Sequence, residues 1–318
     1  FSFNYQPPSI PMLNGDEYIM LQLEAWHNHY GIFNVPKEIS YDRDDPDFYN
    51  YSANTDWVKA ITKNAVTHDH YFSASGGGDK SRYFASVSYV DEGGTTINTF
   101  SKRLSTRINL DYFLSSKLLF MVQFNYNNNF TRSSFYFADR GMTIRKMAYM
   151  KAPNMSIWEY DANGNLTGEY FTPINSYQGD GYTYFNPVAV ANLGKNDNRS
   201  NNVLNSFTLR YTLTDWINLR TTISYQFEGS KANNFLPYNA VGTDWLAWTV
   251  NKAEESNNNF SSINTETQLN FSAPIKNKNH LITGSFTWMT EQQKGEWVNI
   301  QSNKIPSVDI QDPAIQAQ

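Results

Sequence analysis

Residues 103–127 read RLSTRINLDYFLSSKLLFMVQFNYN, and the order of side chains in this stretch decides the architecture. Leu104, Thr106, Ile108, Leu110 and Tyr112 alternate with Ser105, Arg107, Asn109 and Asp111. After Ser115-Ser116 the rhythm resumes, with Leu118, Phe120, Val122, Phe124 and Tyr126 on one side and Gln123, Asn125 and Asn127 on the other. Successive side chains of a strand point to opposite faces, so a period of two predicts two strands, each with an apolar and a wet face. The small polar pair between them predicts a tight hairpin.

The same rhythm recurs outward from this pair. Tyr83, Ala85, Val87 and Tyr89 alternate with Ser86 and Ser88; Val203, Phe207, Leu209, Tyr211 and Leu213 alternate with Ser206, Thr208, Arg210 and Thr212. Ile217, Leu219, Ile223, Tyr225 and Phe227 stand against Asn218, Arg220, Ser224, Gln226 and Glu228. Weaker continuations carry Ile263, Leu269 and Phe271, then Ile282, Phe286 and Trp288. Connections alternate in length. Short turns are expected at Gly76–Lys80, Ser115-Ser116, Thr214-Asp215 and Pro274–Asn279, and longer links at 92–100, 131–200 and 229–259. Short turns at one end and long loops at the other are how outer-membrane barrels are built.

Strand length separates a barrel from its rival, a secreted soluble β-sandwich that binds or cleaves glycans. The alternation persists for roughly eleven to fourteen residues, whereas strands of globular proteins average about five or six and a tilted membrane-crossing strand needs about 9–11. Aromatic residues near the strand ends, Tyr83, Tyr89, Tyr112, Tyr126, Tyr211 and Trp216, suit the interface belt of a membrane barrel. The expected fold is all-β: an antiparallel transmembrane barrel segment with short helices in the outer loops. On that reading Leu104, Ile108, Leu110, Phe120, Val122, Phe124, Leu209, Leu219 and Ile223 face lipid.

Composition agrees. Apolar residues make up 40% and charged residues 17% of the 318, aromatics reach 16%, and mean hydropathy is -0.57; the chain is polar without being charged, and its apolar share is rich in rings. A net charge of -5 leaves no basic footprint for nucleic acid. With no cysteine there is neither a disulfide framework nor a thiol nucleophile. No apolar run approaches the ~18 residues of a transmembrane helix.

The long links carry helical signals. NGDEYIMLQLEAWHNH opens on an Asn14 cap, with Tyr18, Leu21 and Ala25 on one face. DRGMTIRKMAYMKAP spaces Met142, Arg145 or Lys146, Met147 and Met150 as helix neighbours before Pro153, and Asn186-Pro187 starts a third, short helix. Between the last two, Asn163-Gly164 predicts a hairpin turn.

Residues 54–120 resemble the SusC/RagA branch of TonB-dependent outer-membrane transporters. The likeness rests on Asp56-Trp57 before a short helix, Ser75-Gly76-Gly77, Arg82-Tyr83, Gly93-Gly94, Lys102-Arg103 and Arg107-Ile108-Asn109-Leu110-Asp111, in that order and spacing. LNGDEYIML resembles the helix of the family's first large loop, and Asn186-Pro187 a recurrent motif, so the likeness extends over about residues 1–295. It implies a bacterial outer-membrane barrel of about 22 strands around a plug, importing glycans or peptides with TonB-derived energy under a SusD-like surface lipoprotein. Residues 1–318 would then be part of one barrel domain, with the plug and the C-terminal strands lying outside this chain. An open set of about eight strands leaves lipid-facing edges whose unpaired groups cost several kcal/mol each, so the remainder of the same transporter must pair with them. Membrane lipid, the lipoprotein, TonB acting through the plug, and an oligosaccharide or peptide are the expected partners.

No motif argues for catalysis or a cofactor. His27 and His29 sit two apart on an expected helix and so do not share a face, while His68 and His70 share a strand face without a further ligand at metal spacing. YDANGN has Thr172 where a calcium loop of the EF-hand type wants Glu, and DRDDPD reads as a solvated loop. Gly76-Gly77-Gly78 lacks the Lys-Ser/Thr of a phosphate loop. Binding has better candidates: Trp158, Tyr160, Phe171, Tyr177, Tyr182 and Tyr184 in the longest loop, beside Tyr170 and Phe185, with Trp245 and Trp248 in the next. Rings beside amide and carboxylate groups suit sugar or peptide ligands.

Overall fold

Alternation extends into long antiparallel strands, each hydrogen-bonded to its sequence neighbour, in the computed structural model. It describes residues 1–138, 141–173, 185–242, 250–275, 280–305, 307–309, 311 and 313. A short β1 (Ser2–Asn4) is followed by β2 (Ala65–Gly77), β3 (Ser81–Gly93), β4 (Phe100–Phe113) and β5 (Leu118–Arg132). Small strand pairs β6 (Tyr136–Phe137) with β7 (Met142–Thr143), and β8 (Trp158–Tyr160) with β9 (Leu166–Tyr170), lie in the long connection. Then come β10 (Lys195–Thr214), β11 (Ile217–Leu236), β12 (Lys252–Ile275) and β13 (His280–Ser302). One nine-stranded sheet runs β1-β2-β3-β4-β5-β10-β11-β12-β13. Gly78–Lys80, Leu114–Lys117 and Asp215-Trp216 close the short ends, and the long connections all leave from the other end. The turn expected at Pro274–Asn279 falls largely outside the described residues.

Register settles which side chains share a face. Tyr83, Leu110, Val122, Phe207 and Ile223 are directly opposed across five strands. One residue along, Asn109, Gln123, Ser206, Ser224 and Asn264 form the matching row on the other face. All of the residues assigned above to the lipid side fall on the first face. Nothing in the described sheet covers that face: Ile108 is 42%, Phe207 44% and Ile263 48% exposed, whereas Thr208 and Ser262 on the polar face are 6% and 8% exposed. Large apolar groups standing out while small polar ones are shielded is the pattern of a sheet that curls around its polar face. A soluble sandwich would require a second sheet over the apolar face, and all the long strands belong to one sheet. Asn205 is a polar residue within the apolar face, and its side-chain carbonyl has no hydrogen-bond partner among the described residues.

The strands outrun their alternation. β10 begins at Lys195 and β12 at Lys252, well inside the expected loops, and β13 continues to Ser302. At the upper ends of β10 and β12 both faces are largely polar, so periodicity ends while backbone pairing goes on; Asn128 donates to Asn201 Oδ1 at 2.6 Å across one such pair.

The hydrophobic core sits beyond the sheet, among the loops. Short helices α1 (Gly15–Tyr30), α2 (Lys37–Ser40), α3 (Phe48–Tyr51), α4 (Trp57–Ala60), α5 (Ile144–Met150) and α6 (Pro187–Leu193) surround it. Trp57, Ile61, Ile144, Met147, Met155, Val190, Val241 and Val250 are buried together. Asn14 caps α1 through a reciprocal capping box with Glu17. Leu21 and Ala25, which share a face with Tyr18, are exposed; Gly15 and Ile19 are the buried residues of the helix. Gly15 sets that orientation, because a Cβ there would lie 2.4 Å from the Ala53 carbonyl oxygen.

Candidate functional site

Irregular loops must satisfy their backbone donors and acceptors without a ladder, and here buried asparagines do it. Asn50 accepts from Tyr160 N at 2.8 Å and donates to Tyr160 O at 2.9 Å, fixing the end of β8 where the hairpin begins to turn. Asn154 donates to Glu38 O (2.7 Å) and Tyr51 O (3.0 Å), joining α2 and α3 to the segment after α5. Asn186 accepts from Val188 N and Ala189 N while donating to Ile157 O (2.8 Å) and Phe171 O (3.1 Å). Asn251, with φ of 47°, accepts from Tyr238 N at 2.9 Å and donates to Ile305 O at 2.8 Å. Trp57 Nε1 donates to Ala152 O at 2.9 Å. These ties hold the hairpin and its neighbours as one body.

On that body an open groove of about 690 Å³ is lined by Lys37, Asp47, Tyr51, Glu159, Glu169, Tyr170, Phe171, Tyr238 and Asn239. The Trp158 ring stacks on Tyr170, with centroids 4.4 Å apart and an interplanar angle of 18°, and is 41% exposed. Tyr160 lies 6.5 Å from Tyr49. Phe171 is 6% exposed and meets Tyr51 edge-on at 5.2 Å, so it is part of the floor and of the core at once. Tyr177, Tyr182, Tyr184, Trp245 and Trp248 lie outside the described residues. Of the rings named from sequence, Phe171 therefore lines the groove with Tyr170, Trp158 leans on its wall, and Tyr160 stands apart.

Acidic groups were not legible as part of this site. Glu159 and Glu169 come from the two strands of one hairpin, and Asp47 from a loop more than a hundred residues earlier. Lys37 donates to Asp47, and that hydrogen bond raises the ammonium above its ordinary range. At the tip, the Asp161 carboxylate is held below its ordinary value by the Asn165 backbone and side-chain N–H groups, then those of Asn163 and Gly164. Gly164, with φ of 80°, makes the tight turn. A groove with hydrogen-bonding carboxylates and amides beside a stacked aromatic pair can hold a polar ligand with flat apolar faces; nothing in it arranges a nucleophile with a base.

No family model matches the chain. Among curated proteins it is similar to the TonB-dependent receptor SusC of Bacteroides thetaiotaomicron, 25% identical over 262 residues, which is 78% of this chain and 24% of the relative. The TonB-dependent receptor P39 of Formosa agariphila is 25% identical over 227 residues, covering 71% and 20% respectively. Among solved structures, the RagAB peptide importer in its closed-closed state superposes with a TM-score of 0.66 at 17% identity, covering 96% of this chain and 35% of that one. The RagAB peptide transporter gives 0.64 at 18% identity, covering 96% of this chain and 35% of that one. This chain thus spans about a quarter of the length of the curated relatives it matches.

Proposed function

We propose that this chain is a segment of a SusC/RagA-type TonB-dependent receptor of the outer membrane, supplying barrel wall and outer loops to a machine that imports glycans, or peptides as RagAB does. The observation that carries this reading is the uncovered apolar face of a single curled sheet whose long connections all fold into one body at the same end. Lipid takes the apolar face, along Leu104, Ile108, Leu110, Phe120, Val122, Phe124, Leu209, Leu219 and Ile223, and water takes the polar one. From Val203 to Leu213 the strand rises about 33 Å at ~3.3 Å per residue; tilted by about 40°, that spans the ~25 Å apolar band of such barrels. β13 ends the described sheet with one side unpaired, and a further strand of the same receptor pairs there, since a free edge in hydrocarbon is too costly.

Substrate is captured at the outer loops, where the Trp158–Tyr170 pair offers an apolar platform and Glu159, Glu169 and Asn239 offer hydrogen bonds. A SusD-like lipoprotein closes over it, and TonB, pulling through the plug, opens the way inward. No bond is made or broken. The test uses the full-length receptor in its native membrane. Trp158→Ala and Tyr170→Ala are expected to weaken binding of its oligosaccharide or peptide substrate by about ten-fold each, with unchanged receptor abundance. Uptake and affinity equal to the unaltered receptor in both variants would remove this groove from the substrate path.

A further inference from the structure

Above the apolar band, the same outer face changes chemistry within two rows. Leu104, Asn128, Asn201 and Gly229 are directly opposed, and the row beyond them is Lys102, Phe130, Arg199 and Lys231. Arg199 and Lys231 face each other across β10 and β11, a like-charge pairing that destabilises a sheet and that Glu255 offsets on the Lys231 side. The Arg199 guanidinium sits 4.5 Å from the centre of the Phe130 ring. Phe130 meets Phe100 edge-on at 5.1 Å, and Phe100 in turn lies under Lys102 Nζ and the Arg132 guanidinium, each at 5.4 Å. Three of the cations have carboxylates beside them: Lys102 with Asp91 (3.2 Å), Arg132 with Asp197 (2.7 Å) and Lys231 with Glu255 (2.7 Å). Arg199 is exposed and, among the described residues, has no carboxylate at ion-pair distance.

Height decides what anion this is. Arg199 lies four residues beyond Val203, about 13 Å along the strand and about 10 Å in height at a tilt of ~40°. The polar layer of a bilayer extends about 5–8 Å past the hydrocarbon on each side, and a long cationic side chain bends down to reach it. We propose that Arg199, with Lys102 and Lys231, holds the phosphate of an anionic lipid headgroup in the outer leaflet, whose acyl chains lie over Leu104 and Ile108 below. Phe100 and Phe130 favour a lipid over a free ion, because they join the cations to the apolar band without a break. The inference rests on the lipid-facing reading of the sheet.

The full-length receptor is placed in nanodiscs of zwitterionic lipid containing a minor fraction of lipid A, a bisphosphorylated glycolipid, and retained lipid A is counted by native mass spectrometry. Arg199→Gln is expected to retain about five-fold less, Arg199→Lys an intermediate amount, and Arg107→Gln, on the opposite face, the same as the unaltered protein. A spectroscopic label at Phe207 reports lipid contact in the same particles. Equal retention in Arg199→Gln with the label in lipid would overturn the headgroup site and leave the barrel reading intact. A label shielded from lipid would sink the barrel reading and the site together. Displacement of lipid A by excess inorganic phosphate would make this a free-anion site and also overturn the proposal.

Discussion

The side chain of Asn186 makes four hydrogen bonds, two to the first turn of α6 and two to carbonyls 29 and 15 residues earlier in the chain. Removing it uncaps a helix and strands two buried acceptors, so Asn186→Ala should cost about 2–4 kcal/mol of local stability. Asn186→Asp keeps the cap and loses the donations, and should fall between. Hydrogen exchange at the amides of α6 and of Phe171 reads both effects. Half of this role was legible: Asn before Pro marks a helix start wherever it occurs. Its bonds to Ile157 and Phe171 depend on loops brought together only in the fold. Lys151 was invisible for a similar reason. It is 3% exposed, with Nζ 6.0 Å from the Trp57 ring centre, and burial lowers its pKa from 10.5 to about 7. Between these values the unfolded chain holds a proton that the folded one has released, so stability rises with pH across the window. The penalty is complete below about 7 and gone above about 10.5. Lys151→Met should flatten that slope and raise stability at pH 7, as read from unfolding midpoints across a pH series.

Among the elements, β4 and β5 show how far alternation carries. Their faces, their turn and their pairing follow from residues 103–127, because a slip of one residue would exchange every apolar side chain for a polar one. The rule fails in the upper parts of β10 and β12, where Asn, Ser and Glu occupy both faces and the backbone ladder persists without it. It also says little about the loop body, whose order comes from asparagine amides bonded to irregular backbone. Substitution by charge separates the two faces. Arg at Ile108 or Phe120 should cost about 2–4 kcal/mol near the middle of a bilayer, whereas Arg at Ser105 or Asn125 should be tolerated. Folded yield in lipid, measured by resistance to heat and detergent, distinguishes them. Equal penalties on both faces would mean that neither meets hydrocarbon.

At the scale of the molecule, the proposed function has one sheet separate two solvents, with the loop body at the end from which the long connections leave. Rings stand near both limits of the proposed band, Tyr126 and Phe227 on either side of Val203 toward the top and Tyr211 between Leu219 and Leu118 toward the foot. The chain contains no cysteine, so single cysteines can be placed in it to carry a label. With the full receptor in bilayers, labels at Ile108, Val122, Phe207 and Ile223 should be quenched by lipid-borne quenchers and ignored by water-soluble ones. Labels at Arg107, Gln123, Ser206 and Ser224 should show the reverse. Loss of that alternation, with both sets shielded from lipid alike, would contradict the account.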